Sequence, residues 1–366
     1  MTVRLWVERS AGRRLDRCDW QDRLPGARRP WNHTATRIER TILSVRRALK
    51  HSILGEWGAR AIRAELERAG VVKLPSLSTI GRVLVRHGAL DAKARVRRPA
   101  PPRGWYLPSV AAGTAELDSF DVIQDLKIQA GPLVSVLTGI ALHGGQSDAW
   151  PQLTITARCV IGLLLQRFAA LGFPHYAQFD NDTIFQGAHQ HPDSFGRVIR
   201  LCLQLQIVPV FAPPNEPGFQ NLIEHFNGLW QAKVWQRFRF ESLPHLQTHS
   251  QQYITAHRQR ASHRPESAPP RRAMPEAFRL DLNAPLQGQV IYLRRANAQG
   301  IVQLLGHRWP IDPLWAHRLV RCEVDLTAGC IGCFGLRRRD PTDQPLLASF
   351  PYRPPKRRFQ HHGAVQ

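Results

Sequence analysis

Three carboxylates near the middle of the chain carry the strongest chemical signal. His175-Tyr-Ala-Gln-Phe-Asp180-Asn-Asp182 reads as a short apolar strand delivering Asp180 at its polar end, where a turn begins. Further on, the proline-rich run Pro213 to Pro217 leads into a helix with Glu224 in its first turns. Upstream, Ala115-Glu-Leu-Asp118-Ser-Phe-Asp121 places Asp118 near the middle of a first strand. Asp121, three positions on, faces the other side of a regular strand, so Asp118 is the choice and Asp121 the reserve. Oxygen donors of this kind suit Mg²⁺, with Mn²⁺ as a substitute. Three of them can hold two such ions roughly 4 Å apart, one activating a water or a 3′-hydroxyl and the other stabilising the leaving oxygen of a phosphodiester.

The elements that must bring these acids together follow from periodicity. Thr114 to Ile128 and Leu133 to His143 read as two strands, with Ala130-Gly131-Pro132 as the turn between them. Thr154 to Leu171 is a helix apolar almost all round, hence buried on more than one side. A helix at Phe195 to Gln206 and a strand at Ile207 to Ala212 follow the Asp180 strand. Strands first and then alternating helices and strands predict an α/β core with a mixed sheet.

On either side of this core the composition changes. The chain carries 50 Lys+Arg against 28 Asp+Glu, net +22, and the excess is uneven: +15 over residues 1–110, −2 over 111–240 and +9 over 241–366. Two basic flanks around a faintly acidic centre suit a polyanionic partner, nucleic acid above all, gripped beside a site that concentrates carboxylates. Hydrophobic content of 43% with 21% charged residues excludes wholesale disorder.

Residues 1–36 show no clear periodicity, whereas 37–90 read as three helices. Ile42, Val45, Leu49 and Ile53 mark the first, Ile62, Leu66 and Ala69 the second after Gly58, and Ile80, Val83, Leu84 and His87 the third, capped by Ser76 or Ser78. This is the pattern of a helix-turn-helix: Ser78 and Thr79 would approach base edges while Arg82 and Arg86 reach phosphates. Residues 91–110 read as a basic, proline-rich linker whose Arg97 and Arg98 would track a DNA backbone, though a solvated spacer has the same composition. Residues 111–264 form the core and 265–287 a second linker. Short alternating runs over 288–350 predict a small C-terminal β-barrel, and 351–366 a basic tail.

No run is long and apolar enough for a transmembrane helix, so no membrane partner is expected. The N-terminus has no signal-peptide core, and six scattered cysteines do not resemble a disulfide framework, which points to a cytoplasmic setting. Cys330-Ile-Gly-Cys333 and His189-Gln-His191 read as strand and loop rather than zinc ligands, because neither has a matching pair at a usual spacing.

The order of Asp118, then Phe179-Asp180-Asn181-Asp182, then Pro214, Pro217, Gln220, Asn221, Ile223 and Glu224, resembles the integrase catalytic core of bacterial insertion-sequence transposases. That resemblance implies a ribonuclease-H-like fold with an Asp-Asp-Glu triad. Gly58 to Leu66 with Ser78-Thr79-Ile80 looks like the helix-turn-helix of such proteins, and the C-terminal strands like the small barrel of Mu-type transposases. The chain departs from the family pattern in carrying Asp182 where a glycine is usual, Gln220-Asn221 where Asn-Gly is usual, and 43 rather than some 35 residues between the last two acids. The extra length is assigned to Gly187 to Ser194, and motif position favours Glu224 over Glu216.

Taken together, the expectation is a DNA transposase, bacterial and nucleoid-associated, working as a homo-oligomer on double-stranded DNA at element ends and target. It would hydrolyse a phosphodiester with Mg²⁺ and direct the freed 3′-hydroxyl at target DNA. Asn227 and Gln231, one and two turns along the helix from Glu224, are candidate contacts to the DNA end. The alternatives are a DNA-binding regulator that has lost catalysis and a metal-dependent nuclease that cuts without joining.

Overall fold

The structure is a computed structural model. It describes residues 34–90 and 103–355, except 130, 189, 190, 215, 217, 338 and 339, together with 7, 8, 10–14, 16 and 18. The chain divides into two compact units, Met1–Ala94 and Arg95–Gln366. Arg97, Arg98, His189 and the tail beyond residue 355 lie outside the described residues.

In the first unit, the helices α1 (Thr36–Lys50), α2 (Ala59–Arg68) and α3 (Leu77–Arg86) follow one another along residues 34–90. Their apolar stripes meet in a small core of Ile42, Ile62, Leu66, Ile80, Val83 and Leu84. Ser76 caps α3, its hydroxyl accepting from Thr79 N at 3.1 Å. A buried Glu39 on α1 receives Arg86 at 3.1 Å and His87 at 2.8 Å from the end of α3. Arg46, also buried, donates to the carbonyls of Trp57 and Ala89. Buried charges in so small a unit are satisfied by these bonds.

The second unit is built on one nine-stranded sheet in the order β11-β10-β9-β6-β5-β4-β1-β2-β3. The strands are β1 (Leu117–Lys127), β2 (Leu133–Ala141), β3 (Ser147–Gln152), β4 (Tyr176–Phe179), β5 (Val208–Phe211), β6 (Gln289–Arg295), β9 (Leu319–Asp325), β10 (Cys330–Gly335) and β11 (Leu346–Pro351). Between β6 and β9, β7 (Ile301–Leu304) and β8 (His307–Pro310) form a separate antiparallel hairpin. Strands β1 to β3 are an antiparallel meander, while β1, β4, β5 and β6 pair in parallel, so the sheet is mixed as the sequence predicts. The helices are α4 (Pro108–Ala111), α5 (Ala157–Leu171), α6 (Thr183–Gln186), α7 (Arg197–Gln204), α8 (Asn221–Trp230), which continues into a π turn at Gln231–Trp235, and α9 (Leu243–Arg260).

Alternation along β1 assigns its two faces. Phe120 lies in the cluster packed under α5 and α7, whereas Leu117 lies in the opposite cluster with Trp105, Tyr106 and Leu107. On the first face an aromatic row crosses four strands: Phe120 on β1 stacks on Phe179 of β4 at 5.4 Å, Phe179 meets Phe211 of β5 at 6.0 Å, and Phe211 stacks on Tyr292 of β6 at 5.1 Å. Gly139 on β2 leaves space for the Phe120 ring, since a Cβ there would stand 2.8 Å from it. Each such aromatic pair is worth about 0.5–1.5 kcal/mol beyond its buried area. The row ties β6 to the strands that precede it in the sheet.

Three boundaries differ from the sequence reading. Strands β6, β9, β10 and β11 do not close into a separate barrel over 288–350; β6 pairs in parallel with β5, and the others extend the same sheet. Residues 265–287 are bound to the core: Arg272 exchanges backbone hydrogen bonds with Phe173, and Arg271 donates to the Gly172 carbonyl and to Asp118. Within 91–110, Trp105, Tyr106, Leu107 and Val110 are core residues rather than linker.

Candidate active site

Asp118 and Asp121, three residues apart, occupy opposite faces of β1 and have opposite electrostatics. Asp118 is fully buried beneath α5, where Arg167 Nε donates to its Oδ2 at 2.9 Å and Arg271 binds both its oxygens at 2.9 Å. Burial alone would raise its pKa, but the two guanidinium groups outweigh it and hold the carboxyl well below the usual range. Arg167 also reaches Asp148, itself held by Arg258, so Asp118 belongs to a buried ionic network under the sheet. The placement corrects the choice of Asp118 as metal ligand: its oxygens are already occupied, and it faces away from the other two acids.

Asp121 faces the other side. The parallel register pairs Ser119 with Gln178, so continuing it by two residues brings Asp121 level with Asp180. Asp121 is half-buried; Val122 N donates to its Oδ1 and Asn227 Nδ2 to its Oδ2, each at 2.8 Å. Its pKa is pushed up to about 6, first by burial and then by the charges of Asp180 and Glu224, against the opposing hydrogen bonds from Val122 and Asn227. Asp180 and Glu224 therefore both lie near enough for their charges to reach Asp121.

Each of the other two sits where its element ends or begins. Asp180 follows the last residue of β4 and accepts from Asp182 N at 3.0 Å. Its carboxyl is also raised, by burial and then by the charge of Asp182, with that backbone bond working the other way. Asp182 caps the short α6 through Ile184 N at 2.8 Å, as expected of a turn residue. Glu224 is exposed in the first turn of α8, where the helix N-terminus favours negative charge. Glu216 is held by Arg295 in a two-pronged pair, which leaves Glu224 facing the other acids.

The candidate DNA contacts divide likewise. Asn227 is buried, accepting from Thr138 Oγ1 at 2.7 Å while it holds Asp121, so it positions a carboxylate rather than meeting DNA. The sequence reading missed this role because one turn of helix from Glu224 also describes a surface position. Gln231 is half-exposed at the start of the π turn. In the first unit Ser78 and Arg82 are exposed on α3, Thr79 is half-exposed with its hydroxyl 2.9 Å from that of Ser76, and Arg86 is engaged by Glu39.

Asp121, Asp180 and Glu224 offer the hard oxygen donors that a divalent cation such as Mg²⁺ takes, and the repulsion that the other two exert on Asp121 is what a cation would relieve. Among the described residues no group of three or more His, Cys, Asp or Glu is placed so that it could hold a metal ion by itself. Mg²⁺ does not require one, since it is commonly held by one or two carboxylates together with substrate phosphates and water. No helix among the described residues is long and apolar enough to cross a membrane.

No protein-family model and no curated protein matches the chain. Among solved structures it is similar to a chain of the simian T-cell lymphotropic virus intasome in complex with PP2A regulatory subunit B56 gamma, with 13% identity over 74% of this chain and 87% of that one and a TM-score of 0.33. It is also similar to the HTLV-2 integrase catalytic core domain in complex with magnesium, dimeric form, with 16% identity over 44% and 87% of the two chains and a TM-score of 0.27. The catalytic core domain of BIV integrase gives 16% identity over 38% and 81%, with a TM-score of 0.28. With TM-scores this low, these likenesses carry no argument about what this chain does.

Proposed function

We propose that the chain is a DNA transposase of the integrase type, in which Asp121, Asp180 and Glu224 form the catalytic triad. The observation that carries this reading is that the β1–β4 register brings Asp121 level with Asp180 on adjacent interior strands, with Asp121 raised to about 6 by burial and then by the charges of Asp180 and Glu224. Asp121 thus takes the place first given to Asp118. The three acids would hold up to two Mg²⁺, which on binding supply charge stabilisation and an activated oxygen for in-line attack at a phosphodiester. The chain's own part is to hold the acids in register: the β1–β4 pairing sets the two aspartates level, Asn227 fixes one oxygen of Asp121, and α8 presents Glu224. The helix-turn-helix reading of α1 to α3 supplies end binding, with Ser78 and Arg82 toward the DNA, and pairing of two ends calls for a homo-oligomer.

Strand-transfer assays with pre-cleaved ends in Mg²⁺ or Mn²⁺ test the proposal. Joined product that disappears in Asp121→Asn, Asp180→Asn and Glu224→Gln supports it. Cutting without joining would instead identify a nuclease. End binding with no metal-dependent product at all would leave a regulator and overturn the catalytic reading.

A further inference from the structure

A second feature of the core lies beside the acids. A cleft of about 800 Å³ opens next to Asn181, the residue after Asp180, with Gly187, Ala188, His191 and Ser194 on one side and the β7–β8 hairpin on the other. Its walls carry Arg294, Arg308 and His191, with the neutral amides of Gln186 and Gln303, and no carboxylate stands among the described residues lining it. In a chain whose centre has an acidic balance, such a surface attracts anions.

The cleft is built rather than incidental. Asp193 N donates to the Leu305 carbonyl at 3.0 Å, and the Asp193 carboxylate receives His307 at 3.0 Å and the Tyr352 hydroxyl at 2.9 Å. Gly306 packs so close to Pro192 that a Cβ there would stand 2.9 Å away. These contacts fasten Pro192 and Asp193 to the hairpin, so that they form one wall. On the opposite side Asn181 and Arg294 both donate to the Ala212 carbonyl, at 2.6 and 3.4 Å, which anchors the cleft to the ends of β4 and β5. Gln186 is a buried residue whose Oε1 has no hydrogen-bond partner, and turning its amide over would present N–H donors to the cleft. Arg308 is exposed, whereas Arg295 and His307 are already held by Glu216 and Asp193.

We infer that this cleft holds the sugar-phosphate backbone of the DNA strand whose reacting phosphodiester lies at Asp121, Asp180 and Glu224; the inference rests on the transposase reading of those acids. Arg308 meets the phosphates, and the amides of Gln186, Asn181 and Gln303 donate to them. Contacts of this kind position a strand without reading its sequence. The segment between the last two acids and the C-terminal hairpin thereby serve one purpose, to lead the strand into the acidic site.

The test is the salt dependence of binding by the full chain to a short random-sequence DNA duplex, followed by fluorescence anisotropy without divalent metal over about 50–200 mM salt. Arg308→Gln lowers the slope of log affinity against log salt by about 1, uniformly across sequences. Gln303→Glu, which places a carboxylate in the cleft and removes no fold contact, weakens binding in the same way. Arg279→Gln, an exposed arginine outside the cleft, leaves the slope as in the wild type. Wild-type slopes in both cleft variants overturn the inference even if the protein cuts DNA. Lowered slopes in a protein that never cuts uphold the cleft while the catalytic reading falls. Failure of the wild-type chain to bind DNA overturns both.

Discussion

Replacing either Asp118 or Asp121 by asparagine should change stability in opposite directions, although the two residues share one strand. Asp118 sits at zero exposure between Arg167 and Arg271. Neutralising it takes the counter-charge from Arg271 and one of two from the fully buried Arg167, and breaking such a buried pair from one side costs about 3–5 kcal/mol. Its folded pKa is depressed, so the stability it contributes is present above the unfolded value near 4 and is lost as pH falls through the folded value. The gap between wild type and Asp118→Asn should therefore narrow in acid. Asp121 has the reverse linkage. Raised to about 6, it binds a proton more readily in the folded chain, so it costs stability at neutral pH, and that cost disappears as pH falls from about 6 toward 4. The shift corresponds to at most about 3 kcal/mol. Asparagine recovers only part of that, because it keeps one acceptor for the two donors Val122 N and Asn227 Nδ2; a net gain on the order of 1 kcal/mol remains. Urea unfolding at pH 7, pH 5 and pH 3 measures both variants. An Asp118→Asn protein as stable as wild type, or an Asp121→Asn protein destabilised by several kcal/mol at pH 7, would refute the assignment of faces.

Asn227→Ala should slow metal-dependent cleavage about 10–100-fold while leaving duplex binding unchanged, because it removes a group that orients a carboxylate. Loss of its hydrogen bond also raises the Asp121 pKa, so the acid limb of the pH–rate profile should move to higher pH; an unmoved limb would reduce Asn227 to a packing role. Added Mg²⁺ should raise the melting temperature of the wild type, by about 2–4 °C for each kcal/mol of linkage, with the effect reversed by chelation and absent in Asp180→Asn. Equal shifts in both proteins would place the ion elsewhere. In the first unit, Ser76→Ala should cost about 1 kcal/mol, seen as faster hydrogen exchange at the first amides of α3, Thr79 above all.

Much of the core was legible because its elements announce themselves locally. The β1–β2 turn at Gly131-Pro132, the apolar run of α5, and Asp180 just past a short strand need only nearest-neighbour rules. So do the three N-terminal helices, whose spacing marks Ile42, Ile62, Leu66, Ile80, Val83 and Leu84 as core but also extends the faces to Ile53, Ala69 and His87, which are exposed at or beyond the helix ends. What was not legible depends on pairing between distant residues. That 289–351 would join the core sheet follows from Tyr292 meeting Phe211, a contact to which the alternation of β6 gives no clue, since strands of a small barrel alternate in the same way.

The choice between Asp118 and Asp121 is the instructive case, because a signal for it was present in the sequence. Period two correctly put the two acids on opposite faces and could not say which face was which. The deciding residue is Arg167, the buried guanidinium of the otherwise mostly apolar α5. A buried arginine requires a carboxylate, and α5 covers the face that carries Phe120, so the acid in phase with Phe120, Asp118, is the one it takes. By the same phase, Ser119 and Asp121 share a face with Gln178 and Asp180, where polar residues recur on both strands. An acid flanked on its own face by polar neighbours can keep its oxygens for a cation, whereas one in phase with phenylalanine must find its counter-charge within the protein.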